Sequence, residues 1–303
     1  MYTIKEDEII FDTFFNKPLS EEIMNELTKI KKITFGQFFN QPVYSLPDNV
    51  THINFGESFN QSIDDSNLPK NLTHLNFLGL FNNFNQSVNK LPKSITHLTF
   101  GWHFNQKVSN LPPNITHLEF GYYFNQSVHN LPNSIVYLKF GSEFNQSVDF
   151  LPSSLKELIF SRDFNQPVNN LPNNITHLTF GMYFNQPINN LPTSLTHLTF
   201  GEPYTNNRTI STFNQSIECL SRLKNLKYLK FGNHFLQNIC SPIDGHCYLP
   251  DSVEELYFEN ENKTKITAFP KSLRKLYFKN KRRSVRIIRM KKYVEIYKYI
   301  NSI

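Results

Sequence analysis

The chain has 303 residues, a formal net charge of +6 and an unusually high phenylalanine content, with 29 Phe. Its charge is uneven, because residues 1–262 carry 17 Lys and Arg against 24 Asp and Glu, whereas residues 263–303 carry 14 against Glu295 alone. No run of about 18 apolar residues occurs and Met1 to Glu8 is polar, so we expect neither a membrane span nor a secretory signal, but an intracellular protein.

Residues 1–32 are predicted to form a degenerate N-terminal coil and cap. The triplet Ile9 to Phe11 and the following Phe15 keep the spacing of the repeating units described below, so they predict a decayed first copy. Ser20 to Lys32 is predicted to be helical, because Ser20 is suited to an N-cap and the apolar residues after it share one face.

Residues 33–278 consist of units of about 20 residues. The triplet Phe-Asn-Gln recurs at intervals of 20 residues, beginning at Phe84, Phe104, Phe124, Phe144, Phe164 and Phe184. A Leu-x-Phe triplet, or a variant of it, recurs with it from Ile9 to Phe278 and gives about thirteen copies. A unit of this length is too short to enclose a core alone, so the pattern predicts stacked coils of a solenoid.

Each unit contains one predicted β-strand. The alternation in Thr-His-Leu-Thr-Phe sends Leu198 and Phe200 to the core face, and His197 and Thr199 to the exposed face. Strands of successive coils must then be parallel neighbours in one sheet. A glycine follows most strands, where the chain needs a positive φ or a close backbone approach, although Ser161 replaces it once. The Leu-Pro pair of each unit predicts an extended return path without a second strand.

Two interruptions of the spacing predict protruding loops. Extra residues lie between Phe59 and Phe84 and between Phe184 and Phe213. Insertions at the turns of a solenoid either carry partner contacts or reflect drift at a tolerant position.

The units resemble the FNIP repeat. The resemblance rests on Leu-x-x-Leu-x-Phe followed by Gly, as in Leu195 to Phe200, and on Phe-Asn-Gln-Pro-[VI], as in Phe184 to Ile188, and it covers most of residues 9–278. FNIP repeats are similar to leucine-rich repeats, in particular to the short bacterial kind. The resemblance therefore implies a mainly β, right-handed, leucine-rich-repeat-like solenoid with one parallel sheet and little helix.

The same resemblance implies a protein-binding role. FNIP-repeat proteins occur in social amoebae and in giant viruses of amoebae, so it implies a protein partner, with an amoebal host as one source, in the host cytoplasm or nucleus if the protein is viral. Some similar proteins carry an F-box that delivers captured proteins to a ubiquitin ligase, but residues 1–32 leave no room for one. Asn-Gln stands where the family name implies Asn-Ile, and this uniform departure is interpreted as structural.

Three columns of equivalent positions are candidate sites. The first is predicted to be a buried structural ladder that bonds to backbone groups, and consists of Asn85, Asn105, Asn125, Asn145, Asn165 and Asn185. The second lies on the exposed strand face and contains His52, His74, His97, His117, His177 and His197. The third follows the glycines at non-repeating positions and contains Trp102, Tyr122, Tyr123 and Tyr183.

The second and third columns supply the predicted partner-binding residues. We assign His97, His117, His177 and His197 to that surface, although duplication of the repeat alone would also explain the histidine column. A pH switch and a metal array are further interpretations, but no metal is predicted, because no thiolate or carboxylate column completes a site. The aromatic residues are candidate hot spots, or else rings that pack on adjacent coils.

Residues 279–303 are predicted to form a basic C-terminal cap or tail. Candidate polyanion-binding residues are Lys281, Arg282, Arg283, Arg286 and Arg289. The same segment fits a cap over the last coil, with a terminal helix near Lys291 to Ile300. The three cysteines, Cys219, Cys240 and Cys247, are predicted to be free thiols, because the spacing of the last two and nearby histidines matches no standard zinc site.

The sequence contains no catalytic signature. A Gly-rich phosphate loop, His-Glu-x-x-His and Gly-x-Ser-x-Gly are all absent. We therefore expect a non-enzymatic scaffold without a cofactor, which binds a protein through the exposed sheet face and adjacent loops. The alternatives are a ubiquitin-ligase substrate receptor without a recognisable F-box, a structural or assembly protein, and a polyanion-binding protein that uses its basic segment, for which nucleic acid is not the favoured ligand.

Overall fold

Each coil contributes one short strand to a parallel β-sheet. The computed structural model describes residues 1–63, 68–204, 208–259, 268–279 and 285–289. It divides into two units, Met1–Leu155 and Lys156–Ile303. The predicted fold class, a parallel-sheet solenoid with little helix, is confirmed. The predicted boundaries at residues 32 and 278 are not those of this division and stay predictions.

The first unit begins with β1 (Tyr2–Lys5), which pairs antiparallel with β2 (Glu8–Phe11). The strands that follow are each parallel to the preceding one, starting from β2: β3 (Lys32–Thr34), β4 (His52–Phe55), β5 (His74–Phe77), β6 (His97–Thr99), β7 (His117–Glu119) and β8 (Tyr137–Lys139). The pairing keeps equivalent positions side by side, so that His97 lies next to His117.

The second unit continues the same pattern. Its parallel strands are β9 (Glu157–Ile159), β10 (His177–Phe180), β11 (His197–Phe200), β14 (Tyr228–Phe231), β15 (Glu255–Phe258) and β16 (Lys275–Lys279). Within the described residues, the parallel strands β2 to β11 and β14 to β16 match the thirteen predicted copies. A short 3-10 helix, Glu218–Arg222, precedes β14.

The C-terminal strand β17 (Val285–Arg289) pairs antiparallel with β16. This pairing covers the edge of the last parallel strand, as β1 covers β2. Two of the predicted polyanion-binding residues, Arg286 and Arg289, lie on β17, whereas Lys281, Arg282, Arg283 and the predicted terminal helix lie outside the described residues. The polyanion assignment stays a prediction.

Helix α1 (Glu21–Leu27) is shorter than predicted. The Ser20 hydroxyl caps it by accepting a hydrogen bond from the Ile23 amide at 3.4 Å, as the sequence indicated. The helix ends before Lys32 because Lys32 begins β3, and its amide donates to the carbonyl oxygen of Asp7 at 3.0 Å. Formation of the strand therefore sets the limit of the helix.

Two stacked columns of phenylalanine form the core. Within one coil, Phe120 at the end of the strand region stacks on Phe124 of Phe-Asn-Gln, with ring centroids 3.7 Å apart. Between coils, Phe104 stacks on Phe124 at 6.1 Å. These phenylalanines are buried. Burying one such side chain contributes about 1.5–3 kcal/mol. Because the neighbouring coils cover these side chains, each coil depends on the coils on either side for its stability.

A close backbone approach explains most of the glycines that follow the strands. A Cβ atom at Gly121 would overlap the carbonyl oxygen of Gly101, and one at Gly141 would overlap that of Gly121. Of this column, Gly201 alone among the described residues has a positive φ, +98°. Positive φ therefore explains the glycine at one position of the column, Gly201, whereas the close backbone approach explains the glycines of the regular coils.

A buried asparagine anchors the first insertion. Asn82 is fully buried; its Nδ2 donates to the carbonyl oxygen of Gly56 at 2.7 Å, and its Oδ1 accepts from the Phe84 amide at 3.0 Å. In a regular coil, the corresponding Phe124 amide donates to the carbonyl of Gly121. The Asn82 side chain therefore replaces a backbone carbonyl that the extra residues displace.

The second insertion is anchored in the same way by Ser211. This insertion forms a separate antiparallel hairpin of β12 (Glu202–Tyr204) and β13 (Arg208–Ile210), which agrees with the predicted loop. Ser211 follows this hairpin, is 1% exposed, and its Oγ accepts from the Phe213 amide at 3.2 Å. Each insertion thus returns to the solenoid through one buried polar side chain.

Candidate partner-binding surface

The exposed strand face of the first unit carries a continuous stack of imidazole rings. We call His52, His74, His97 and His117 the histidine ladder. Successive ring centroids are 4.1 to 4.3 Å apart and the rings are within 12° of parallel. Tyr137 continues the stack after His117 at 5.6 Å. The register of the strands thus brings the predicted column into direct contact. In the second unit, His177 and His197 stack in the same way at 4.2 Å.

Threonine hydroxyls determine the tautomer of these histidines. Oγ1 of Thr96 lies 2.9 Å from Nδ1 of His97 and 3.3 Å from the carbonyl oxygen of Thr73. Because a carbonyl only accepts, the hydroxyl donates to it, and the Nδ1–H of neutral His97 donates to Oγ1. The same arrangement occurs at the other histidines of both stacks. Each neutral ring therefore keeps Nε2 as an unprotonated acceptor.

The surroundings of three ladder histidines oppose their protonation. Burial is the largest cause that lowers the pKa of His52, His74 and His97 below the usual 6.5. Neighbouring histidines lower the pKa of His74 and His97 further, because adjacent imidazolium rings would repel each other. Near His52, Lys32 lowers the pKa and Asp7 partly offsets this effect. At neutral pH these three histidines are therefore uncharged acceptors.

We expect the thermal midpoint of the protein to fall as the pH is lowered from 7.5 to 5.5. A histidine whose pKa is lowered by folding takes up its proton more readily in the unfolded chain. Its contribution to the free energy of unfolding is therefore fully present above pH 6.5 and decreases below that pH. The lowered carboxyl pKa values of Asp48, Asp251 and Glu255 keep their titration below this window.

A His74→Gln/His97→Gln variant is the control for this prediction. It keeps polar side chains in the ladder but removes two of its titrating groups, so its midpoint should depend less on pH than that of the wild type. Melting curves recorded by circular dichroism at both pH values make the comparison. Parallel pH profiles for the two proteins would show that the ladder does not control acid stability.

The ladder is poorly arranged for a metal ion. The lone pairs of parallel, stacked rings are themselves nearly parallel and do not converge on a tetrahedral centre. No group of three or more His, Cys, Asp or Glu in the described part of the chain is placed to hold an ion. The chemistry available to this face is therefore hydrogen bonding and proton uptake.

Aromatic residues gather where β6 and β7 end. We call Phe81, Trp102, Tyr122 and Tyr123 the aromatic cluster. Trp102 stacks on Tyr122 with centroids 4.3 Å apart and planes at 8°, and Phe81 lies 5.3 Å from Trp102. Tyr123 meets the edge of both Trp102 and Tyr122. The rings thus pack across coils and still leave Phe81 58% and Tyr123 37% exposed.

The cluster decides between two interpretations of these rings in part. Trp102 and Tyr122 pack on adjacent coils and are half-buried, because each covers a face of the other. Phe81 was not among the predicted residues; its position in an insertion next to Leu78 and Leu80 was the available signal. Tyr183 belongs to the second unit, where it is 43% exposed.

The asparagine column forms a hydrogen-bonded ladder. Oδ1 of Asn105 accepts from the Asn125 amide at 3.0 Å and from Nε2 of Gln126 at 3.1 Å. The predicted members of the ladder follow this pattern from coil to coil within each unit, for example from Asn165 to Asn185 at 2.9 Å. The side chains are half-buried, not buried as expected. The glutamine side chain donates to the asparagine of the preceding coil, which explains why the pair Asn-Gln recurs without change.

The stacked coils, each with one parallel strand, define the chain as a leucine-rich-repeat-like solenoid. The FNIP repeat matches residues 39–79, 84–123, 107–143, 124–163, 144–170 and 164–202. The chain belongs to the FNIP repeat family. This finding confirms the predicted relationship.

Several solved structures are similar to the chain, among them a viral and a bacterial protein. CroV588 from the giant virus CroV, described as a novel circular LRR protein, has 36% sequence identity and a TM-score of 0.57 over 91% of this chain. The chain spans 50% of the length of that protein. An internalin from Listeria monocytogenes shares the fold, with 15% identity, a TM-score of 0.54 and coverage of 85% of this chain and 83% of its own.

A search of curated proteins found no match. Within the described ranges, no helix has the length and apolar character needed to cross a membrane.

Proposed function

We propose that the protein is a non-enzymatic scaffold that binds a protein partner through the aromatic cluster and the histidine ladder of its first unit. The observation that carries the proposal is the aromatic cluster, four contacting rings of which two remain accessible. Tryptophan and tyrosine are common anchors of protein interfaces, since they bury a large area at a small cost in side-chain entropy. Solenoids of the leucine-rich-repeat kind typically act as interaction scaffolds.

The ladder supplies the polar part of the proposed surface. Its Nε2 atoms are acceptors at regular spacing, so a matching partner presents N–H or O–H donors to them. Hydrogen bonds of this kind confer specificity, because a partner that lacks the donors would leave the acceptors unsatisfied. Residues 1–262 carry 24 acidic against 17 basic residues, which favours donors on a basic partner.

The positions that vary between coils support the location of this surface. Phe, Leu, Asn and Gln repeat because the scaffold needs them, whereas the residues after each glycine change from Trp102-His103 to Tyr122-Tyr123 and Ser142-Glu143. Because the scaffold does not require particular residues at these positions, the residues found there can determine which partner is preferred. The proposed interface therefore combines a constant polar row with variable aromatic anchors.

Substitution of the cluster should abolish most of the affinity for a partner. Affinity capture from an amoebal lysate identifies candidates, and binding is then measured between purified proteins. We expect Trp102→Ala/Tyr122→Ala/Tyr123→Ala to weaken binding about 30-fold or more, as loss of a hot spot of about 2 kcal/mol requires.

The matched control is Tyr44→Ala/Phe150→Ala. These aromatic residues of the same unit are 62% and 66% exposed and lie next to the return path, outside the proposed surface. The control should bind as the wild type does, and circular dichroism should show both variants folded. Equal affinities of the wild type and the triple variant would refute this surface, whereas recovery of ubiquitin-ligase components in the capture would favour the receptor alternative.

A further inference from the structure

A third insertion, which the sequence analysis did not identify, lies on the return path of the coil that follows β14. Nine residues separate Ile239 from Leu249, whereas two separate the equivalent Ile188 and Leu191. The extra residues leave the solenoid as a loop whose outermost side chain, Ile243, is 95% exposed. This insertion has no buried Asn or Ser at its return point, but it begins at Cys240 and ends at Cys247.

The two cysteines face each other across the neck of the loop. They form an isolated antiparallel bridge, flanked by hydrogen bonds from Ser241 N to His246 O at 2.7 Å and from Tyr248 N to Ile239 O at 2.9 Å. These bonds make the cysteines a pair that is not itself hydrogen-bonded through the backbone, the type in which Cα atoms lie about 4.5 Å apart. That spacing is within the range that a disulfide spans, about 4.4 to 6.8 Å.

The side chains are also in contact. Both cysteines are free thiols, and the two thiols are hydrogen-bonded to each other. Cys240 is buried, and its Sγ–H donates to the carbonyl oxygen of Ala268 at 3.4 Å, so Cys247 is the donor within the pair. Cys247 is half-buried and is therefore the thiol that an oxidant in solution reaches first. The positions of both sulfurs thus favour a bond between them.

We propose that Cys240 and Cys247 form a reversible disulfide that closes the neck of the loop, with a low-molecular-weight disulfide as oxidant. The Cys247 thiolate attacks one sulfur of oxidised glutathione, the glutathione S–S bond breaks, and one glutathione thiolate leaves. The Cys240 thiolate then attacks the Cys247 sulfur of the mixed disulfide and expels the second glutathione. Two protein thiols lose two electrons and two protons, and one glutathione disulfide is reduced to two glutathione molecules.

The surroundings of the pair slow this reaction at neutral pH. The hydrogen bond to Cys240 and burial raise the pKa of Cys247, the Asp251 carboxylate adds to this effect, and the Leu249 amide partly offsets it. The thiolate is the attacking species, so little of it is present at pH 7. The initial rate should therefore rise about tenfold per pH unit between pH 7 and pH 9.

The test uses the full chain, reduced and then incubated with excess oxidised glutathione until the thiol content is constant. Under denaturing conditions the three thiols should decrease to one, with a mass lower by two hydrogen atoms and a crosslinked peptide containing Cys240 and Cys247. Cys219→Ser should go from two thiols to none. Cys247→Ser should not form an internal disulfide; its Cys219 thiol should persist as in the wild type, and its Cys240 thiol should persist or carry glutathione.

Three results would overturn the proposal: persistence of both thiols after incubation, a mixed disulfide on Cys247 that Cys240 does not resolve, or a bond that includes Cys219. Because the readouts are thiol number and peptide mass in the wild type and in Cys219→Ser, they do not require that the Cys247 variant folds. Treatment of the oxidised protein with dithiothreitol should restore all three thiols. The outcome is independent of the proposed partner.

Discussion

Gly121→Ala should destabilise the protein by about 3 kcal/mol or more, which exceeds the usual cost of overpacking because backbone, not a side chain, is in the way. The added Cβ would overlap the carbonyl oxygen and carbon of Gly101 and lie 2.9 Å from the Trp102 amide nitrogen. Relief requires that two coils separate, which would weaken the hydrogen bonds of the asparagine ladder and the phenylalanine stacks on both sides. Denaturant unfolding followed by circular dichroism measures the loss.

The matched control for Gly121→Ala is Ser142→Ala, which changes a half-buried residue directly after another glycine of the same column. Its stability should differ from that of the wild type by no more than about 0.5 kcal/mol. Since Trp102 is the only tryptophan, its fluorescence reports whether the coils also separate at the aromatic cluster. An alanine variant as stable as the control would show that the backbone opens locally at this position, as the chain accommodates Ser161 in its own coil.

Periodicity predicted the parts of the fold that every coil repeats. The Leu-x-Phe triplets predicted the parallel strands and their register. Alternate residues of each strand are buried, and a shift of one residue would expose the phenylalanines, so only one register keeps them covered. The asparagine column was predicted because a recurring amide at a turn has backbone groups to satisfy. The decayed copy at Ile9 to Phe11 was found by spacing alone, and its Ile9 and Phe11 are buried as the pattern requires.

Features that occur once were missed, because no repetition draws attention to them. Asn82 and Ser211 look like ordinary loop residues until the structure shows that each replaces a backbone carbonyl. Phe81 is one apolar residue in an irregular segment. The insertion between Cys240 and Cys247 lies in a degraded coil, where neighbouring units no longer define the expected length. The tautomer of the histidines depends on hydrogen-bond distances to threonine, which the spacing of residues does not contain.

The proposed function depends on both kinds of feature. The repeated positions place the imidazole rings of the ladder in a row on paired strands, and a surface that is already ordered lowers the entropic cost of binding a partner. The single features supply the aromatic anchors and determine where they lie. Changing a repeated residue should therefore affect stability first, whereas changing a residue that anchors an insertion should affect stability and the binding surface together.

Asn82→Ala tests this connection. The Phe84 amide and the Gly56 carbonyl lose a buried partner, and an unsatisfied buried group costs about 1–3 kcal/mol, so we expect a loss of about 2–4 kcal/mol. Phe81, the preceding residue, should leave Trp102, and the Trp102 emission should shift to longer wavelength as the ring meets water. Affinity for a partner should fall with it.

Two further variants separate the hydrogen bonds of Asn82 from its volume. Asn82→Asp keeps an acceptor for the Phe84 amide but places a carboxylate oxygen against the carbonyl of Gly56, so at neutral pH it should lose at least as much stability as alanine. Asn83→Ala, at the exposed neighbouring position, should stay within about 0.5 kcal/mol of the wild type and keep its fluorescence. If Asn82→Ala unfolds at the wild-type denaturant concentration, the insertion does not depend on this side chain, and another contact must hold Phe81 against the cluster.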